Sequence, residues 1–536
     1  MSAVPWTVGR YVVETIAANG IDTIFGIPGV HNIELYRGLE FSRVRHVLAR
    51  HEQNAGFAAD GYARATGRAA AAFVISGPGL TNILTAVAQA YSDSVPLLIV
   101  ASSPVRASLG RHWGVLHELA DQRALIASAS NFAASARSAA DVREHLQAAF
   151  AAMRAARPRP AYVDIPLDLL AETTTLRPER FAVAPAPTSP PAEALRRAQQ
   201  LLSEARRPLI IAGGGARGAG AALRHLVEAL DGYLVTTTAA KGVLAETHPA
   251  NLGASLPYRV IQDLAAAADV IVAAGTEISE TDVYTSTRLT LNGRLVRIDV
   301  DERKLADHFE AEVRIQADAA VTLEALAHTT LARAGWRTAA GEAGIYRAQI
   351  EREFDRDTRG RLAALQALRA ALPADGAVFS DMTQIAYLGN YAFRAERPGL
   401  WFHPSGYGAL GYALPAAIGA KVAQPERAIV ALAGDFGVQF THQELMTAVE
   451  LDLTLPLIVW NNEALGQIRD DMRAAGIAPI GVVGRNPDFA ALASACGAAG
   501  VRVHNAGELT HAVRTALGRS GPTLVEAVAG DFRPRS

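Results

Sequence analysis

Residues 428–467, AIVALAGDFGVQFTHQELMTAVELDLTLPLIVWNNEALGQ, carry the side chains best suited to hold a metal ion beside a phosphate. One apolar run ends in Gly434-Asp435, and the next ends in Asn461-Asn462. Asp435 and Asn462 lie 27 positions apart, room for one helix and one strand, so neighbouring parallel strands present a carboxylate and an amide oxygen side by side. Magnesium suits that pair, because it takes few protein oxygens and completes its octahedron with water and substrate phosphates. The site therefore calls for a diphosphate together with Mg²⁺. Gly434 and Gly437 let backbone N–H groups approach such an anion closely.

The elements that position these residues follow from periodicity and turn chemistry. Thr441 and Glu444 spell T-x-x-E, which reads as a capping box, and Leu445, Ala448 and Val449 give the next helix its buried face. Near the N-terminus VRHVLA (44–49) reads as a strand, and EQNAGFAADGYARATG (52–67) as a helix ended by Gly67. Glu52 then falls in the first helical turn, where helix-dipole capping alone also favours a carboxylate. Short Val/Ile/Leu runs alternate with amphipathic segments throughout, the pattern of βα units. Proline-rich stretches at 157–169 and 183–193 interrupt it. The expected fold class is α/β, with three doubly wound parallel-sheet domains at 1–175, 190–335 and 355–536.

Composition excludes several classes. The 536 residues carry 51 basic and 53 acidic side chains, a net charge of −2, so no nucleic-acid or anionic-membrane surface is expected. Cys496 is the single cysteine, which rules out an internal disulfide and zinc-type cysteine clusters. No apolar run approaches the roughly 20 residues of a membrane span, and the opening MSAVPWTVGRYVVET lacks a basic start followed by an apolar stretch. A cytoplasmic protein is expected.

The G-D…N-N spacing resembles the binding motif for thiamine diphosphate (ThDP). HPSGYGALGYALPAAIGAK (403–421) is similar to the segment that holds the aminopyrimidine ring in acetolactate synthases and benzoylformate decarboxylases. FGIPG (25–29), RHEQNAGFAADGYAR (50–64) and SGPGLTN (76–82) resemble the pyrimidine domain of the same superfamily, in order and spacing. The resemblance covers essentially the whole chain. It implies cofactor contacts from Pro28, Gly29, Glu52, Pro78, Asn82, Thr383, Gln384, Gly408, Leu410, Gly434, Asp435, Phe436, Gly437, Asn462, Leu465, Gly466 and Gln467, with Asp435, Asn462 and Ala464 on the metal. Phe436 departs from the family, which has a small residue there, so its ring should turn into the sheet or a subunit contact.

The resemblance also assigns chemistry. In the family the glutamate of R-H-E hydrogen-bonds a pyrimidine nitrogen and favours the imino tautomer, which takes the proton from thiazolium C2. The ylide attacks a 2-oxo acid, and the thiazolium accepts the electrons released as CO₂ leaves. Leu410 is the apolar wedge under the bent cofactor, and the Gly408 carbonyl receives its amino group. The two halves of the site come from different subunits in this family, which implies a homodimer or homotetramer.

What meets the carbanion next depends on the pocket, lined by position with Val30, His31, Leu116, His117, Gln122 and Gln467. Acetolactate synthases tend to have F-Q-E where this chain has Leu116-His117-Glu118, and a histidine there suits a proton donor. Non-oxidative decarboxylation with catalytic Glu52 and His117 is thus the leading reading, and acetolactate synthase-type carboligation is the alternative. LHELADQ and GTEISETD (275–282) are similar to segments of bacterial decarboxylases of 5-guanidino-2-oxopentanoate, where Glu118, Glu277, Glu280 or Asp282 would pair with a guanidinium. G-G-G-A-R-G (213–218) spells a dinucleotide fingerprint, but the next strand, YLVTTT, ends in threonines where an acidic residue should meet the ribose, which argues against an NAD(P)-dependent dehydrogenase. Acetolactate synthases with FAD carry G-x-R-F-D where this chain has GTEISETD, so FAD is doubtful as a cofactor.

Overall fold

The computed structural model describes residues 5–154, 157–182, 188–284, 289–328, 335–337 and 342–534. Residues 183–187 of the second proline-rich stretch lie outside the described residues.

Strands β1 (Thr23–Gly26), β2 (Arg45–Leu48), β3 (Ala70–Val74), β4 (Leu97–Ser103), β5 (Phe132–Ser135) and β6 (Ala161–Pro166) form one parallel sheet in the order β2-β1-β3-β4-β6-β5. Strands β7 (Pro208–Ala212), β8 (Tyr233–Thr236), β9 (Val270–Ala274), β10 (Arg294–Asp299) and β11 (Val313–Gln316) form a five-stranded parallel sheet, β11-β10-β9-β7-β8. Strands β12 (Ala377–Ser380), β13 (Trp401–Phe402), β14 (Ile429–Gly434), β15 (Leu455–Asn461), β16 (Ala499–Val503) and β17 (Pro522–Val528) form the third, β13-β12-β14-β15-β17-β16. Strands β3, β4, β6 and β14 are buried along their whole length, the reason they read as unbroken apolar runs.

Each sheet reverses its strand order next to its first strand: between β1 and β3, between β7 and β9, and between β12 and β14. Crevices at such points are where open α/β sheets hold ligands. FGIPG and SGPGLTN follow β1 and β3, and Asp381 and Asp435 follow β12 and β14. The chemistry-bearing segments thus fall where the topology opens the sheets.

Seven helices matter for the site: α1 (Glu52–Thr66), α2 (Pro78–Ser92), α3 (Gln384–Ala392), α4 (Ala413–Ala423), α5 (Asp435–Gln439), α6 (Glu444–Glu450) and α7 (Gly466–Ala474). Helices α1 and α4 cross in backbone contact. A Cβ on Gly61 would overlap the Ala416 carbonyl, and one on Gly419 would overlap the Ala58 carbonyl. Beside the crossing, buried Arg64 bonds Asp60 and Asp93 at 2.6 Å each, and the Tyr412 hydroxyl donates to Asp60 at 2.5 Å. One hydrophobic cluster, with Phe57 and Ala59 from α1 and Tyr412 and Ala416 from the third domain, runs through both.

Candidate active site

The N-terminal half is built around the start of α2. Gly77 caps that helix at φ +64, a conformation that favours glycine, and Pro78 occupies its first turn. Asn82, one turn in, donates from Nδ2 to Glu52 Oε2 at 2.9 Å. Glu52 opens α1, which His51 caps through Nδ1 and Gly67 ends at φ +69. The Pro28-Gly29 turn is braced by fully buried Asn32, whose Oδ1 accepts from Gly29 N at 2.8 Å.

The loop carrying His117 folds onto this edge, so a side chain at Gly77 would strike His117. The His31 and His117 rings meet edge to face with centroids 4.9 Å apart. Burial, with His117 as a neighbour, lowers the His31 pKa from its ordinary value. Val30 is 65% exposed and Leu116 60% exposed, forming an open apolar lip. Gln122 sits deeper: its Nε2 donates to the Ser102 carbonyl and Tyr162 hydroxyl, both at 2.9 Å, and its Oε1 accepts from Gly77 N. It braces the α2 start, with both ends of its amide occupied.

The C-terminal half gathers at the ends of β12, β14 and β15. Asp435 is buried at the start of α5, and burial pushes its carboxyl up from the usual range. Its Oδ2 accepts from Asn486 Nδ2 at 2.8 Å, and the same amide reaches Asn461 Oδ1 at 2.9 Å. Asn462 Oδ1 accepts from Ala464 N at 3.2 Å. Gly466 opens α7 after Leu465, and a side chain there would strike Asn462 Nδ2 and Gln384 Oε1, each 2.5 Å from the would-be Cβ. A side chain at Gly434 would meet Thr383 Oγ1 at 2.9 Å. Gln467 faces out and donates to Asp471 Oδ1 at 2.9 Å. Phe436 turns its ring against Gly484.

These residues fit a magnesium diphosphate. Asp435 and Asn462 offer hard oxygens of the kind Mg²⁺ takes, and no group of three or more His, Cys, Asp or Glu able to hold a metal occurs among the described residues. A divalent cation would offset the cost of burying Asp435. The first N–H groups of α7, which as at any helix start have no intrahelical partner, suit a phosphate.

Asp381 holds the segment between the halves. Both its oxygens accept from Gly411 N, at 3.1 and 3.0 Å, and Oδ1 accepts from Met382 N at 2.8 Å. This clamp fixes the loop with Gly408, at φ +72, and half-buried Leu410. Burial pushes Asp381 up to about 6. Asp381, Asn32 and Asn486 were not singled out from sequence, and Glu444 only as part of a capping box. Only Asp381 carried a signal there: like Asp435, it ends an apolar run, AVFSD.

Two expectations are corrected. Thr441 and Glu444 form no capping box: α6 begins at Glu444, Thr441 donates to the Gly411 carbonyl, and Glu444 Oε1 accepts from Arg50 N (2.7 Å) and Asn54 Nδ2 (2.9 Å). Distant partners outcompete the local motif. Helix α4, rich in small residues, packs on α1 of its own chain. Glu277 is committed to Arg157 and Lys304, and Asp282 to a capping box with Ser279, so neither is a free carboxylate. In the central domain, Gly213 and Gly215 press against the Gly275 backbone, a packing reason for the glycine run.

Sequence profiles agree with this geometry. Those described as the N-terminal TPP binding, central and C-terminal TPP binding domains of thiamine pyrophosphate enzymes match residues 6–125, 195–326 and 381–527. The chain belongs to the thiamine pyrophosphate enzyme family, and it is a ThDP-dependent enzyme of the 2-oxo acid decarboxylase or carboligase kind. Among its relatives, the Pseudomonas aeruginosa protein named "Probable 2-ketoarginine decarboxylase AruI" is 48% identical over 97% of this chain and 93% of its own. Acetolactate synthase isozyme 3 large subunit of Escherichia coli is 30% identical over 94% and 91%. The acetolactate synthase large subunit of Corynebacterium glutamicum is 30% identical over 98% and 87%.

Proposed function

We propose that the protein catalyses Mg²⁺- and ThDP-dependent, non-oxidative decarboxylation of a 2-oxo acid, with 2-ketoarginine (5-guanidino-2-oxopentanoate) as substrate. The observation that carries this reading is the pair of imidazoles, His31 and His117, packed together at the Glu52 edge of the N-terminal sheet. A proton source there favours protonation of the carbon that loses CO₂ over its addition to a second carbonyl. Bound ThDP would supply the electron sink for decarboxylation.

This chain's residues then divide the work. Asp435, Asn462 and the Ala464 carbonyl would hold Mg²⁺, while Gly434, Phe436, Gly437 and the Leu465–Gln467 turn would hold the diphosphate. Glu52, steadied by Asn82, would share a proton with the pyrimidine ring nitrogen and so favour the imino tautomer. Thr383 and Gln384 flank the diphosphate, Gly408 and Leu410 seat the ring, and Pro28, Gly29 and Pro78 close the edge. Val30, Leu116 and Gln467 border the substrate, and Gln122 supports them from behind. Of the carboxylates offered for a guanidinium, Glu118 stands in the His117 loop, with Oε2 accepting the Gly114 N–H alone among the described residues. Bidentate pairing there suits the substrate's far end.

A site shared between two subunits is supported by the position of α2. Glu52 lies against Asn82 near its start, whereas the Gly408 loop is tied to its far end, through Gln89 to Ala409 N (3.1 Å) and Asp93 to Gly406 N (2.7 Å). At 1.5 Å per residue, that is a separation of roughly 10–15 Å along one helix. One pyrimidine ring does not span it, so Glu52 of one chain serves Gly408 of another, in a homodimer or an assembly of such dimers. No described helix is long and apolar enough to cross a membrane, and a cytoplasmic location remains the expectation.

The test is incubation with ThDP, Mg²⁺ and a panel of 2-oxo acids, following CO₂ and identifying products by mass. The expected products are CO₂ and 4-guanidinobutanal from 2-ketoarginine. Acetohydroxy acid from pyruvate, without aldehyde, would instead establish the carboligase.

A further inference from the structure

Ser76 ends the segment after β3 and is fully buried. Its Oγ lies 2.5 Å from His31 Nδ1, and its own N–H donates to Ser102 Oγ at 3.3 Å. Among the described residues, His31 is the one hydrogen-bond partner of the Ser76 hydroxyl. A buried hydroxyl hydrogen needs an acceptor. Here that acceptor is Nδ1, so Nδ1 carries no proton and the imidazole hydrogen resides on Nε2.

His117 is held differently. It sits at φ +63 on a loop that lies over Gly77, and its Nδ1 is buried without a hydrogen-bond partner among the described residues. Nothing fixes its tautomer. The two rings touch, yet one is locked by a serine and the other is not.

We propose that Ser76 is a positioning residue that locks His31 as the neutral Nε2–H tautomer, making His31 a fixed hydrogen-bond donor to the substrate's 2-oxo oxygen while His117 alone carries the exchanging proton. The 2-oxo oxygen gains negative charge as its carbon is attacked, and an N–H donor fixed in place costs no reorganisation at that moment. When the C–CO₂ bond breaks, its electron pair stays with the carbon. A C–H bond then forms with the proton of His117, which is reloaded from water. Protonating His31 would turn the Ser76 O–H away from its only acceptor, in keeping with the lowered proton affinity that burial and His117 give it. The assignment of roles rests on the decarboxylase reading, whereas the tautomer does not.

The tautomer is read directly by NMR of the unloaded protein with ¹⁵N-labelled histidine, the His31 signals being assigned by their loss in His31→Asn. The expected result is an unprotonated Nδ1 and a protonated Nε2; a protonated Nδ1 or an even tautomer mixture overturns the proposal. Ser76→Ala should release His31 into a mixture and lower kcat for decarboxylation roughly tenfold or more with KM little changed. Ser76→Thr, which keeps the hydroxyl, should hold the wild-type tautomer. Ser76→Ala with the wild-type tautomer and kcat would sink the lock. Absence of any 2-oxo acid turnover would remove the decarboxylase reading and leave the NMR result to stand.

Discussion

The Asn82 amide holds one oxygen of the Glu52 carboxylate, at 2.9 Å, and leaves the other facing Gly79 at the α2 start. A glutamate at the first turn of a helix is otherwise free to swing with solvent. Here one oxygen is spent on orientation, and the second is kept for a ring nitrogen.

Glu52→Gln preserves size and the contact with Asn82 but removes the charge. ThDP should bind nearly as in the wild type, while exchange of its C2 proton slows by on the order of 100-fold or more. Proton NMR of the bound cofactor in D₂O checks this, and an unchanged exchange rate would take Glu52 out of the mechanism.

Asp435→Ala removes the one charged ligand offered to Mg²⁺ and the acceptor of Asn486. Calorimetry should show ThDP–Mg²⁺ binding weakened on the order of 100-fold, with the unfolding midpoint of the cofactor-free protein little lowered. Mixing inactive Glu52→Gln and Asp435→Ala chains under subunit exchange should restore activity, because one site of a mixed dimer is intact. If exchange is verified and no activity returns, the shared site fails.

Alanine for glycine inside a helix ordinarily stabilises by about 1 kcal/mol. At Gly61 the new methyl would meet the Ala416 carbonyl, so Gly61→Ala should instead destabilise by about 2–4 kcal/mol. Gly344, in the helix Glu342–Arg352 with nothing within 4 Å of its would-be Cβ, is the control whose alanine variant should gain stability. Denaturant unfolding decides; equal signs at both positions would contradict the crossing.

Asp381 is pushed up to about 6 from 3.8 by burial. Its neutral form therefore contributes stability that is fully present below about pH 4 and is lost as pH rises through about 6. The stability of the wild type relative to Asp381→Asn should fall by roughly 2–3 kcal/mol across that window and stay level above it. Urea titrations of the cofactor-free protein at pH 4 and pH 7.5 measure the difference; a constant gap would show that Asp381 is charged throughout.

Sequence was most informative where chemistry and topology coincide. Gly434-Asp435 and Asn461-Asn462 end apolar runs, and parallel sheets deliver strand ends to one edge, so their convergence follows from spacing. The α1 boundaries were equally legible, because Gly67 and the polar start are local signals. Thr441 and Glu444 misled because their partners, Gly411, Arg50 and Asn54, are remote in sequence, and no local pattern records such contacts. Asn486 stayed hidden for the same reason: it lies in a polar loop 51 positions beyond the carboxylate it holds. Small residues in 413–423 announced a close approach without naming which helix approaches.

Because α1 and α4 lie backbone on backbone, with the Arg64 cluster beside them, the two outer domains of a chain have no hinge between them at this seam. Sliding one past the other would break a backbone contact and a buried ion pair together. Residues 112–118 with His117, and residues 476–484, whose Ile477, Ile480 and Val483 stand exposed, lie outside this seam. The spacing of this frame should therefore stay the same from one turnover to the next.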